Sequence, residues 1–205
     1  MAPKIASSLA LVAVLLAMLA PSAAAADLER LIAPTAVCAD QTDPAAAPAV
    51  QEQAMRCMSN YAREHAGAGA LAGAADLDRS AGDKSGDILR CDSFSHFACG
   101  REFTYWMRRV GYIPARCWSA AENIAWGTGE RGNVRSIFRA WIHSPGHREN
   151  ILGPYTQIGV GLEVGTLDNH TDVHVWTQHF GSHCDKPRRS DPPLLRGLAD
   201  QRAVG

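Results

Sequence analysis

The sequence has no Cys-x-x-Cys pair, no Gly-x-Ser-x-Gly elbow, no His-Glu-x-x-His and no clustered run of basic residues. Each absence excludes a class of function. Without paired Cys-x-x-Cys ligands there is no zinc ribbon and no thioredoxin-like redox centre. Without the serine elbow there is no α/β-hydrolase nucleophile, and without the unbroken helical His-Glu-x-x-His there is no zincin. His143 and His147 have the right four-residue spacing, but Pro145-Gly146 interrupts them and the glutamate is missing. The formal charge is only -1, and the pairs Arg108-Arg109 and Arg188-Arg189 are isolated. A nucleic-acid partner would need a basic stripe, and none is visible. Long apolar runs are also scarce: Ile5 to Ala20 is short and rich in alanine, too short for a confident membrane span.

That short run has a different meaning in context. Lys4 precedes it, and the small residues of Pro21-Ser-Ala-Ala-Ala-Ala26 follow, so residues 1–26 read as a secretory signal peptide cleaved near Ala25 or Ala26. The mature chain is then secreted, one charge unit more negative, and without stable membrane insertion. All six cysteines (38, 57, 91, 99, 117 and 184) follow the cleavage point. An even count in an exported chain reads as three disulfides, in a connectivity that sequence alone leaves open. Proximity makes Cys38–Cys57 and Cys91–Cys99 the simplest pairs, with Cys117–Cys184 remaining.

Residues 27–49, rich in Ala, Pro, Asp and Thr, lack periodicity and read as a loosely ordered leader pinned by Cys38. Met55, Met58, Tyr61, Ala62 and His65 then mark one face of a first helix. Leu77, Ala81, Ser85, Ile88 and Leu89 suggest a second, Phe103 to Val110 a third, and Val134 to His143 a fourth that Pro145-Gly146 should stop. Strands are expected over 119–126, 157–164 and 173–180, with 165–172 as a hairpin-like connection. The domain should span 50–184, followed by a disordered tail over 185–205. Helices in front of and between antiparallel strands make the fold class α+β.

The chemistry concentrates in Cys91-Asp-Ser-Phe-Ser-His96, Ala121-Glu-Asn-Ile-Ala-Trp-Gly127 and Trp141-Ile-His-Ser-Pro-Gly-His-Arg-Glu-Asn-Ile-Leu152. On residue type alone, His96, Glu122 and His147 could bind a divalent cation such as Zn²⁺ with a position open for water. Equally they could be three separate structural residues. Ser144 beside two histidines could be a nucleophile, although a serine before proline is more often a turn residue. Gly127-Thr-Gly-Glu-Arg-Gly132 matches a phosphate-loop pattern but lacks the second strand–helix unit, and reads as a connection at the cleft rim. Alternation sends His174, Trp176, Gln178 and Phe180 to one face of the last strand and His179 to the other, where packing or a solvated face would account for them.

In order and spacing these three segments resemble the CAP superfamily of cysteine-rich secretory, antigen-5 and pathogenesis-related-1 proteins, in its bacterial form. The resemblance covers about residues 51–184. It implies a disulfide-stapled CAP-type α-β-α sandwich, a small mainly antiparallel sheet flanked by helices. It also implies a cleft lined by His96 on the second-helix segment, Glu122 and His147, with His96 and His147 as the metal ligands. Where the eukaryotic pattern carries a second glutamate, Ser144 or His143 stands near that place. The function it implies is a non-catalytic extracellular binding module for a divalent cation or a small ligand, lipid included. A metal-assisted hydrolase or peptidase and a cell-surface adhesive protein are the rivals.

Overall fold

A computed structural model describes residues 27–183. The expected signal peptide over 1–26, the expected tail over 185–205 and Cys184 lie outside the described residues. In chain order the elements are α1 (Pro48–His65), β1 (Ala72–Gly73), α2 (Ala75–Arg90), α3 (Thr104–Arg109), β2 (Trp118–Thr128), α4 (Val134–His143), α5 (Pro145–Leu152), β3 (Gln157–Leu167) and β4 (His170–His183), with 3-10 turns at Ala98–Gly100 and Gly129–Gly132. The sheet runs β1-β3-β4-β2. β4 is antiparallel to both long neighbours, and β1 adds a short parallel edge.

The sheet is a partition between two helical layers. On one face Ile158, Val160, Leu162, Trp176 and Phe180 pack with Met55 and Met58 of α1 and Phe138 and Trp141 of α4. On the other face β3 presents glycine, and α2 rests directly on its backbone. A Cβ at Gly159 would collide with the backbone of Leu77 and Asp78, and one at Gly161 with the backbone of Ala81 and Gly82. That close approach needs residues without side chains. Its result is that Ser80 and Lys84 sit over the sheet, both buried.

Expected boundaries shift in understandable ways. The last two strands extend into 165–172 and leave only a tight turn at Asp168 and Asn169, whose φ values of 47° and 61° suit a twisted two-residue hairpin. Pro145-Gly146 ends α4 but also begins α5. Ser144 is extended, as a residue before proline prefers, and Pro145 occupies the first helical position, where its missing N–H costs nothing. His147 is therefore on a helix rather than in a turn. His96 lies past the end of α2, in a loop closed by Cys91–Cys99, rather than on a helix.

Residues 27–49 correct the expectation of a loosely ordered leader. Leu31, Ile32, Ala33 and Cys38 are buried in the α1–α4 core. Arg135 Nη1 donates to Ala33 O and Gln41 Oε1, Asn133 Nδ2 donates to Thr42 O, and His143 Nε2 meets Glu29 Oε1 at 2.8 Å. The segment is stapled by Cys38–Cys57. Cys117 is also disulfide-bonded.

Candidate functional site

The site is built on the paired strands β2 and β4, with α2 packed over β4 beside it. Alternation along β2 sends Glu122 towards α2 and Asn123 towards the opposite layer. Glu122 is the centre of a buried chain of polar groups. Its Oε1 lies 2.7 Å from His96 Nδ1, and its Oε2 lies 2.8 Å from Nε2 of His179, the residue paired with it across the sheet. The Nδ1 of His179 lies 2.7 Å from Ser80 Oγ. Lys84 Nζ donates to His96 O at 2.8 Å and stands 3.9 Å from Glu122 Oε1. The side chains of Glu122 and Lys84 are each 2% exposed, whereas that of His96 is 57% exposed.

Lys84 and Glu122 are a buried pair of opposite charge. His179 Nε2 donates to Glu122 Oε2, its Nδ1 lies against Ser80 Oγ, and the Ser80 hydroxyl donates to Leu77 O at 2.9 Å. Burial works against the Glu122 charge, but hydrogen bonds from His179 and His96 and the nearby ammonium outweigh it. The carboxyl is held below its ordinary range. Burial pushes the Lys84 ammonium down, opposed by Glu122.

On the other side of β2, Asn123 links the two sequence motifs. Its Nδ2 donates to His147 O and to Gln178 Oε1, and its Oδ1 accepts from Asn150 Nδ2. Asn150 also donates to Glu122 O. The Glu-Asn pair thus divides its work, the acid to the α2 side and the amide to α5.

A shallow cleft of about 270 Å³ opens between the His96 loop, β2 and α4, lined by Phe94, Ile124, Ala125, Trp126, Ala140, Trp141, Ser144 and His147. Its walls are mostly apolar, and its polar groups are Ser144 and His147, joined by a 2.8 Å contact from Ser144 Oγ to His147 Nδ1. Burial, and secondarily the charge of His96, lowers the His147 pKa and favours the neutral ring. A larger depression of about 610 Å³ beside Cys57 and Tyr61 shares none of these residues.

Of the residues expected at the site, His96 and Glu122 meet directly, Ser144 and His147 meet each other, and His147 and His96 are close enough to interact electrostatically. His143 turns away to Glu29. The Gly127–Gly132 connection folds back on itself, its Gly132 carbonyl accepting from Trp176 Nε1. It is not among the residues lining the cleft. His179, Lys84, Ser80 and Asn123 were not anticipated. His179 in particular does not face solvent: it is wholly buried under α2.

A family model described as "CAP: Cysteine-rich secretory protein family" matches residues 43–180. The chain belongs to the CAP family. A curated relative, the uncharacterized protein YkwD of Bacillus subtilis, is 35% identical over 106 residues, covering 51% of this chain and 36% of that protein. The match therefore spans only about a third of its length. Among solved structures, an extracellular protein containing a SCP domain from Bacillus anthracis matches with a TM-score of 0.52 at 23% identity, over 65% of this chain and 40% of that one. An outer surface protein from Borrelia burgdorferi matches with a TM-score of 0.52 at 15% identity, over 63% of this chain and 90% of that one. These likenesses place the fold among CAP domains, and the α+β sandwich of this chain is the same architecture. Among the described residues no helix is long and apolar enough to cross a membrane.

Proposed function

We propose that this CAP domain is a secreted binding module whose cleft takes a small ligand with an apolar body and one polar end. The observation carrying this reading is the commitment of Glu122. Both of its carboxylate oxygens are engaged by His96 and His179, and its charge balances Lys84. The acid is therefore not presented to the cleft as a general base. What faces the cleft is aromatic and aliphatic wall, with Ser144 and His147 as hydrogen-bonding groups. Sites of this kind bind by apolar contact and are oriented by a few polar atoms.

The same donor set bears on a cation. His96 spends Nδ1 on Glu122 and His147 spends Nδ1 on Ser144. No group of three His, Cys, Asp or Glu side chains suited to a metal ion is found among the described residues. The two histidine contacts engage one ring nitrogen each, as they do where a neighbouring group orients a metal-binding imidazole; the apolar lining of the cleft makes an organic ligand the first reading, and a divalent cation on His96 and His147 is the second. The exported location is consistent with the descriptions of the two structural relatives as an extracellular and an outer surface protein.

Tryptophan fluorescence tests the proposal, because Trp126 and Trp141 line the cleft. Titration with octanoate should give a saturable change in the wild type. Ala140→Arg, on an exposed cleft position, should abolish it without unfolding the chain. An equal response in both proteins, or no saturation in either, would refute the reading.

A further inference from the structure

We infer that Ser144 and His147 form a nucleophile–base pair that makes the cleft a site of acyl transfer from esters with a short apolar acyl group. This rests on the binding reading above, since the acyl group must occupy the same apolar cleft. Among the described residues two serine–histidine pairs are in hydrogen-bond contact, and they differ in access. Ser80, His179 and Glu122 are connected in the order of a hydrolytic triad, at 2.7 and 2.8 Å. Ser80 and His179 are wholly buried, so no substrate reaches that serine. Ser144 and His147 are half-buried at the cleft surface, with Oγ 2.8 Å from Nδ1. This is within the distance over which a hydroxyl passes its proton to a base.

The local backbone suits the role. Ser144 directly precedes α5 yet makes no side-chain cap on it. A helix start leaves its first N–H groups without intrahelical acceptors. Pro145 has none to offer, so Gly146 and His147 carry those donors beside Ser144, where charge would develop on a carbonyl oxygen. The backbone of His147 is fixed by Asn123 Nδ2 donating to its carbonyl at 3.1 Å. Phe94, Ile124 and Trp126 offer the surface for the acyl chain.

The step balances with an ester and water as the only reactants. Ser144 Oγ bonds to the ester carbonyl carbon as its proton passes to His147 Nδ1. The bond from that carbon to the alcohol oxygen then breaks, and the alcohol leaves with the proton. Water attacks the acyl carbon and gives a proton to Nδ1. The Oγ–acyl bond breaks, the carboxylic acid departs, and Ser144 recovers its proton.

The test uses the mature protein, p-nitrophenyl butyrate, a fluorophosphonate probe and, in parallel, octanoate binding. The wild type should release p-nitrophenol and carry the phosphonyl adduct on Ser144 by peptide mass spectrometry. Ser144→Ala should lose the adduct and about a hundredfold in rate, while octanoate binding, held mainly by the apolar walls, should weaken only severalfold. His147→Gln, which keeps a hydrogen-bonding side chain but no base, should lose a similar factor. Hydrolysis unchanged in Ser144→Ala, or an adduct only on another residue, would overturn the inference. Octanoate binding with no reaction in the wild type would overturn it and leave the binding module standing. Absence of both would overturn the two together.

Discussion

His179 and Glu122 are direct partners across the β2–β4 ladder, and His179 Nε2 donates to Glu122 Oε2 at 2.8 Å. The pairing turns a strand histidine into the inner support of the acid, with His96 as the outer one. His179→Leu would leave one oxygen of a buried carboxylate unpaired. A hydrogen bond to a charged group contributes about 1.5–3 kcal/mol, and a loss of that size should appear as a lower urea midpoint. Unchanged stability would mean that water or Lys84 replaces the imidazole.

The lowered pKa of Glu122 gives the acid limb a sign. A carboxyl whose folded pKa lies below its unfolded value contributes stability that is present above the unfolded pKa and is lost as pH falls through the folded one. Thermal melts should therefore show stability falling below about pH 4.5, the ordinary carboxyl value. Glu122→Gln should start lower at neutral pH and fall less steeply in acid. Parallel acid limbs for the two proteins would remove Glu122 as their source.

Gly161→Ala asks α2 to move off the sheet, because the added methyl meets helix backbone rather than a yielding side chain. Overpacking of this kind costs about 1–3 kcal/mol or more, and the melting temperature should drop accordingly. Gly82→Ala is the control. It lies on the same helix, with nothing within 4 Å of the new methyl, and should be neutral or slightly stabilising.

The Cys91–Cys99 bridge closes the loop that carries His96 and Phe94. Replacing both cysteines by serine should cost about 2–3 kcal/mol from loop entropy. The contacts from His96 to Glu122 and from Lys84 to His96 should still hold the loop, so the octanoate response should weaken rather than vanish. Complete loss of binding with the fold intact would show that the bridge, not those contacts, shapes the cleft wall.

Sequence patterns resolved what periodicity governs. The inward faces of α1 and α4 were legible because apolar residues recur at helical spacing, and so were the three long strands with their alternation. His96 and Glu122 were legible from the motifs that carry them. His179 was not, although alternation gave its face correctly: a period says which side a residue takes, not what covers that side. The clue was in the adjacent strand, where Gly159 and Gly161 leave room only for a helix riding on bare backbone. Lys84 was hidden because lysines are seldom buried. The 27–49 segment was misjudged because its buried residues, Leu31-Ile-Ala33 and Cys38, follow no repeat. Its order comes from Arg135, Asn133 and His143, residues distant in sequence.

The opposite facing of Glu122 and Asn123 constrains length more tightly than identity. Removing or adding one residue in β2 upstream of them, with the register of the preceding residues kept by β4, would exchange the two faces. A carboxylate would enter the layer of Met55 and Phe138, and an amide would face Lys84 without a compensating charge. Along this strand, descendants of the sequence can change letters at many positions, but an insertion or deletion there has no neighbouring solution to fall into.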